Sequence, residues 1–237
     1  MAQRIDGVEP FTPLQIEIAR GRVSDTFAIN KFGYNSQVGS AWETIWDGNN
    51  NYTYIETAGT AQATSDAAAS ADDGATILVQ GLDANYELVE ETLTVGGAAG
   101  VQEFFRIHRG VLVTHPTADT NQGDITITCD SKSAAVITAD LGQTLMAVYT
   151  VPAGHVAYLV QVDAGCGKDN EHEIRLMVKH NGGVWNTKSY HSQRGGFNGI
   201  KFEVPIHISA ESDVEIRAKA SATSSVSAGF ELIIVKQ

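Results

Sequence analysis

Apolar and polar side chains alternate over three segments in the second half of the chain. In Ile174–His180, Ile174, Leu176 and Val178 alternate with Glu173, Arg175 and Lys179, and Met177 is the apolar exception on the outer row. In Lys201–Ile208, Phe202, Val204, Ile206 and Ile208 share one face, opposite Lys201, Glu203, Pro205 and His207. In Asp213–Ala220, Val214, Ile216, Ala218 and Ala220 alternate with Asp213, Glu215, Arg217 and Lys219. A period of two places one row in a core and the other in water, so these segments predict antiparallel strands wetted on one side. Val156, Tyr158, Val160 and Val162 form a further row after Pro152-Ala153-Gly154. The run Gly229–Lys236 is apolar on both faces, as a central strand requires. Turns are expected at 181–183, 195–199 and 210–212.

The first half predicts strands at 27–32, 52–56, 75–80, 86–95, 103–113 and 124–129, with turns at 82–85 and 96–100. The Ala-rich stretch 60–71 has helix-forming composition without an apolar stripe and reads as a loop or single turn. The expected architecture is all-β: two antiparallel, jelly-roll-like β-sandwich domains with an N-terminal extended arm. The expected bounds are an arm over 1–26, an N-terminal sandwich over 27–132, a join over 133–144 and a C-terminal sandwich over 145–237. Within the arm, Leu14, Ile16 and Ile18 alternate with Gln15 and Glu17, as in a strand added to a neighbouring subunit or an edge strand of the chain's own domain.

The chain has 237 residues and a formal charge of −12. Residues 141–237 hold nine basic and nine acidic side chains, so residues 1–140 carry the whole excess. An acidic surface of this kind repels nucleic acid and favours solubility. No segment reaches the roughly 20 apolar residues of a membrane helix, and the N-terminal stretch has no apolar run of signal-peptide length. Two cysteines, Cys129 and Cys166, are too few for a disulfide framework and are expected as free thiols, which suits assembly in a reducing cytoplasm.

Candidate chemistry is sparse. The seven histidines include no HExxH or HxH pair, and neither a G-x-S-x-G elbow nor a phosphate-binding lysine motif is present. The segment Asp163–Glu173 offers hard oxygen ligands of the type calcium takes, but its spacing is not that of an EF-hand; it reads as an acidic hairpin loop. No catalytic residue, cofactor or metal site is therefore expected. Trp42, Trp46, Tyr52 and Tyr54 cluster around the Asn-rich stretch 47–51. Such aromatics fill a sandwich core, meet a protein partner or stack on a sugar.

Four stretches resemble small virion structural proteins of tailed bacteriophages, especially those of marine bacteria. They are Ile29-Asn30-Lys31-Phe32-Gly33, Trp46-Asp47-Gly48, Tyr149-Thr150-Val151-Pro152-Ala153-Gly154, and the run from Ser227 to Val235. The resemblance implies an oligomeric β-sandwich module without cofactor, located in the virion and assembled in the host bacterial cytoplasm. Its implied role is that of a capsid decoration (cement), head-fibre or vertex protein, with a tail or collar component as the alternative. Its implied partners are other virion proteins, namely the major capsid protein or neighbouring appendage subunits, and further copies of itself, with no nucleic acid and no membrane. A carbohydrate-binding, host-receptor module is the rival reading. The expected interface residues are Leu14, Ile16, Ile18, Phe27, Ile29, Phe32, Trp42, Trp46, Tyr52 and Tyr54.

Overall fold

The computed structural model describes residues 13–237. A short helix, α1 (Leu14–Ala19), precedes fifteen strands. In chain order these are β1 (Thr26–Val38), β2 (Glu43–Thr44), β3 (Gly59–Thr60), β4 (Gln62–Ser65), β5 (Thr76–Leu82), β6 (Leu88–Thr94), β7 (Glu103–Phe104) and β8 (Arg106–Thr114). They continue with β9 (Ile125–Cys129), β10 (Lys132–Ile137), β11 (Val148–Thr150), β12 (His155–Lys179), β13 (Trp185–Ile208), β14 (Asp213–Ala220) and β15 (Ser224–Lys236). The protein is all-β, and every strand pair is antiparallel.

A seven-stranded sheet runs β1-β15-β12-β14-β11, with β13 added to β12 and β2 added to β14. Its axis is β12, 25 residues long. One edge of β12 pairs with β13 from Ala157 to Lys179, except across Gly167–Asn170, which lie off the ladder. The other edge pairs with β15 over His155–Cys166 and with β14 over His172–Lys179, so β14 and β15 lie end to end along it. The remaining strands form β10-β9-β4, β6-β5-β8 and the short pair β3-β7. Two cores result. One packs Leu159, Ile174, Leu176, Ile216, Phe230 and Ile234 of the large sheet; the other packs Trp46, Ile55, Ile77, Phe104, Ile125 and Ile137 of the smaller sheets. The two cysteines are free, and each lies in a different core.

Several elements differ from the pattern-based expectation. Residues 14–19 are helical, not extended; residues 1–12 of the expected arm lie outside the described residues. Pro13 fixes the entry to the helix, Leu14 and Ile18 stand four residues apart on one side, and Gly21 ends the turn at φ 66°. Ile18 alone of the helix is buried. Strand β1 pairs with β15, so it belongs to the large sheet and not to a sandwich with the residues that follow it. The Ala-rich stretch includes β4, because Ala61 and Ala63 fit beneath the smaller sheets where no larger side chain is needed. The expected join holds β10, hairpinned to β9 through Asp130 and Ser131, both at positive φ. The segment 52–56 is not a strand.

The largest departures concern β12 and β13. The acidic segment Asp163–Glu173 is not a loop but the middle of β12, with Val162, Ala164 and Cys166 buried in alternation. The glycine-rich 195–199 is not a reversal but an irregularity inside β13, where Gly195 and Gly196 sit at φ 60° and 70° and the register shifts. A second irregularity sets residues 202–205 of β13 against the single residue Val160, which turns Val204 outward to 83% exposure. Alternation read Val204 as a core residue; the bulge reverses it.

Candidate interaction surface

The turn Asn181-Gly182-Gly183, with Gly182 at φ 69°, reverses the chain and leaves β13 along the outside of the large sheet. It is 24 residues long and pairs with β12 alone among the described residues. At about 3.3 Å per residue its contour approaches roughly 80 Å, far above the usual strand length. Tyr190, Phe197 and Val204 are 55%, 75% and 83% exposed along it, and Val184 in the preceding turn is exposed as well. Three irregularities and Pro205 interrupt this edge, as sheet edges often are; one of them leaves Lys188 without a partner on β12, and Ser189–Arg194 presents a regular ladder.

The row of β13 that faces the core side is polar. His191 is paired opposite Ile174, and Gln193 opposite His172. Both ring nitrogens of His191, Oε1 of Gln193 and Nε2 of the fully buried His172 have no hydrogen-bond partner. Burial holds His191 below its usual pKa. Buried polar atoms are normally paired, so this row is an exception.

The opposite face carries aromatic rings and cations. The Arg175 guanidinium sits 4.0 Å from the Trp42 ring centroid, and Lys219 Nζ lies 5.1 Å from it. Tyr190 packs against Trp42 at 6.4 Å and donates its hydroxyl to Glu173, which also pairs with Lys219 at 2.9 Å. Next along the face, Trp185 contacts Tyr54 at 5.7 Å and Arg217 at 5.5 Å. Cations over aromatic faces hold these side chains against one another.

Below this patch a polar seam joins the large sheet to the smaller ones. Arg106 of β8 reaches Asp213 of β14, which also accepts the Thr150 hydroxyl at 2.7 Å. Tyr54 donates to Glu215 at 3.3 Å, and Arg217 pairs with the same carboxylate. Burial raises Glu215 to about 7, against the pull of Arg217. Lys31 of β1 donates to the backbone carbonyl of His108; burial and the neighbouring Arg109 lower it to about 7. The outer row of β14 therefore includes buried Asp213 and Glu215, where alternation alone expects water. Among the described residues no cluster of His, Cys, Asp and Glu converges as a metal site.

The sequence-predicted interface residues separate into groups. Trp42 and Tyr54 are partly buried and belong to the aromatic patch. Trp46 and Tyr52 are core residues at 2% and 5% exposure, stacked edge-to-face at 5.1 Å. Phe27 and Ile29 pack partly buried on the large-sheet core, and Ile18 is buried. Leu14, Ile16 and Phe32 are exposed. Sequence reasoning missed Trp185, Tyr190, Arg175 and Lys219. The period-two row Lys188, Tyr190, Ser192 and Arg194 was a usable signal, hidden by the turn assigned to the glycines after it.

No family model and no curated protein sequence matches the chain. Among solved structures, infectious bursal disease virus Gx strain aligns over 90% of this chain and 71% of that one, at 12% identity and a TM-score of 0.27. The VP2 subviral particle of infectious bursal disease virus aligns over 90% and 73%, at 10% identity and a TM-score of 0.22. A bacterial lipoprotein from Bacteroides thetaiotaomicron aligns over 91% and 97%, at 8% identity and a TM-score of 0.17. Similarity at these levels carries no argument for a shared role.

Proposed function

We propose that this chain is a non-enzymatic structural subunit of a virion, of the capsid decoration, head-fibre or vertex type, and that it self-associates through the free edge of β13. The observation that carries the assembly reading is that edge: a strand paired on one side only, with a regular ladder over Ser189–Arg194 and exposed apolar side chains along it. The virion setting rests on the four stretches that resemble phage structural proteins.

The occupant is a second copy, and charge selects which of its edges is met. Strand β13 carries Lys188, Arg194 and Lys201 against one acid, Glu203. Two β13 edges facing each other would oppose like charges. Strand β6 is also an edge, pairing with β5 alone, and carries Glu90 and Glu91 with Glu87 just before it. Pairing β13 of one copy with β6 of the next is head-to-tail, a geometry that builds rings where the rotation closes and filaments where it does not. Exposed Leu14, Ile16 and Phe32 are a second contact patch in this proposal.

The glycan reading is less well supported, because Trp46 and Tyr52 are buried and Trp42 is occupied by cations. Light scattering with mass determination tests the assembly reading. Wild type is expected to form a defined oligomer, and Lys188→Glu with Arg194→Glu to give folded monomers. Glu87→Lys with Glu90→Lys is expected to restore the oligomer. A monomeric wild type at all concentrations overturns self-association. Oligomers indifferent to all four substitutions overturn the β13–β6 pairing. Labelling of whole particles then separates capsid, collar and tail positions.

A further inference from the structure

A cleft of about 610 Å³ lies between β1 and the β6-β5-β8 sheet. Lys31, His108 and Tyr149, all buried, line its depth; Leu88, Glu90 and Arg109, all exposed, form its rim. Ile29 and Val89, each partly buried, add apolar wall between them.

Two independent features of the floor are unfinished. Lys31 is 7% exposed, and the one hydrogen-bond acceptor near its Nζ is the His108 carbonyl. No carboxylate forms an ion pair with it among the described residues, and its charged neighbour is the like-signed Arg109. An ammonium group has three donors, and a buried cation without a counter-charge is costly. The Tyr149 hydroxyl, in a residue 2% exposed, has no partner at all. A buried hydroxyl is normally paired.

We infer that this cleft binds a small carboxylate with an apolar body, its oxygens accepting hydrogen bonds from Lys31 Nζ and the Tyr149 hydroxyl and its body lying against Ile29, Leu88 and Val89. The carboxylate supplies the missing counter-charge and two acceptors, and burial strengthens a charge-assisted hydrogen bond to Lys31. His108, held neutral by burial and by the nearby Lys31 and Arg106 charges, adds no competing positive charge. Glu90 at the rim is engaged by Gln80 at 3.1 Å and stays outside the site.

Calorimetric titration of the full chain with benzoate, and with benzamide as its uncharged isostere, tests the inference. Saturable one-to-one binding of benzoate is expected, with benzamide at least about tenfold weaker. Lys31→Met is expected to weaken benzoate to the level of benzamide. Tyr149→Phe removes only a hydroxyl without a partner, so it keeps the fold; it is expected to weaken benzoate severalfold and leave benzamide unchanged. Absence of benzoate binding at millimolar concentration overturns the inference. So does equal binding of acid and amide, or benzoate affinity unchanged in Tyr149→Phe.

Discussion

Arg106 and Asp213, 107 residues apart in the chain, form a two-point ion pair, Nε to Oδ1 at 2.8 Å and Nη2 to Oδ2 at 3.2 Å. Both side chains are nearly excluded from water. The pair ties β8 of a small sheet to β14 of the large one. Arg106 also donates to the carbonyls of Ile55 and Phe105 and lies 4.2 Å from the Phe105 ring centroid, so its position is set from several sides.

Removing one partner leaves a buried charge uncompensated. Asp213→Ala is expected to destabilise the protein by about 3–5 kcal/mol, whereas replacing both residues with apolar side chains of similar size costs much less. Chemical denaturation of the single and double variants checks this, and equal losses in both would contradict it.

Gly33 of β1 lies so close to the strand beneath that an added Cβ would stand 2.1 Å from the Ile45 carbonyl oxygen and 2.5 Å from the Ala147 nitrogen. Those two atoms belong to backbone groups that bond each other at 2.9 Å, so neither can yield cheaply. Gly33→Ala is expected to cost about 3 kcal/mol or more, at or above the usual range for overpacking. Gly154→Ala, where nothing lies within 4 Å, carries only the strain of φ 67° and serves as the comparison.

The seam makes stability depend on pH in two opposite ways. Glu215 titrates near 7 in the folded chain and near 4.5 unfolded, so the folded state holds the extra proton between those values. Its contribution is full below about 4.5 and is lost as pH rises through 7. Lys31 titrates near 7 folded and near 10.5 unfolded, so the unfolded state holds the extra proton, and stability is regained as pH rises from 7 to 10.5. Unfolding free energies measured from pH 4.5 to 10.5 are expected to show the acid-side fall diminished in Glu215→Gln. The alkaline-side rise is expected to diminish in Lys31→Met. Variants whose profiles parallel wild type would refute the assignment.

Much of the large sheet was legible in the sequence. Ile174, Leu176 and Val178, and likewise Val214, Ile216 and Ala218, are buried as their alternation requires. Period two reports which side of a strand is apolar, but not whether the strand continues through an irregular stretch. Gly195 and Gly196 therefore read as a reversal, although β13 only breaks its ladder at Gly195 and pairs with β12 again on either side. The same limit hid the aromatic patch. Trp42, Arg175, Tyr190 and Lys219 come from four segments, and the pairing of β12 with β13 and β14, together with that of β14 with β2, brings them together. Asp213 and Glu215 looked like solvent-facing residues because nothing local to β14 shows that Arg106 and Tyr54 cover them.

The proposal that β13 of one copy pairs with β6 of the next is tested most directly by amide hydrogen exchange on either side of the assembly transition. In dilute, dissociated protein, the outward-facing amides of Trp185–Arg194 and Leu88–Thr94 are expected to exchange rapidly. In the concentrated oligomer, alternate amides in both segments are expected to become protected together, since each strand then gains a ladder partner. Protection that appears elsewhere while both segments exchange unchanged would contradict the account.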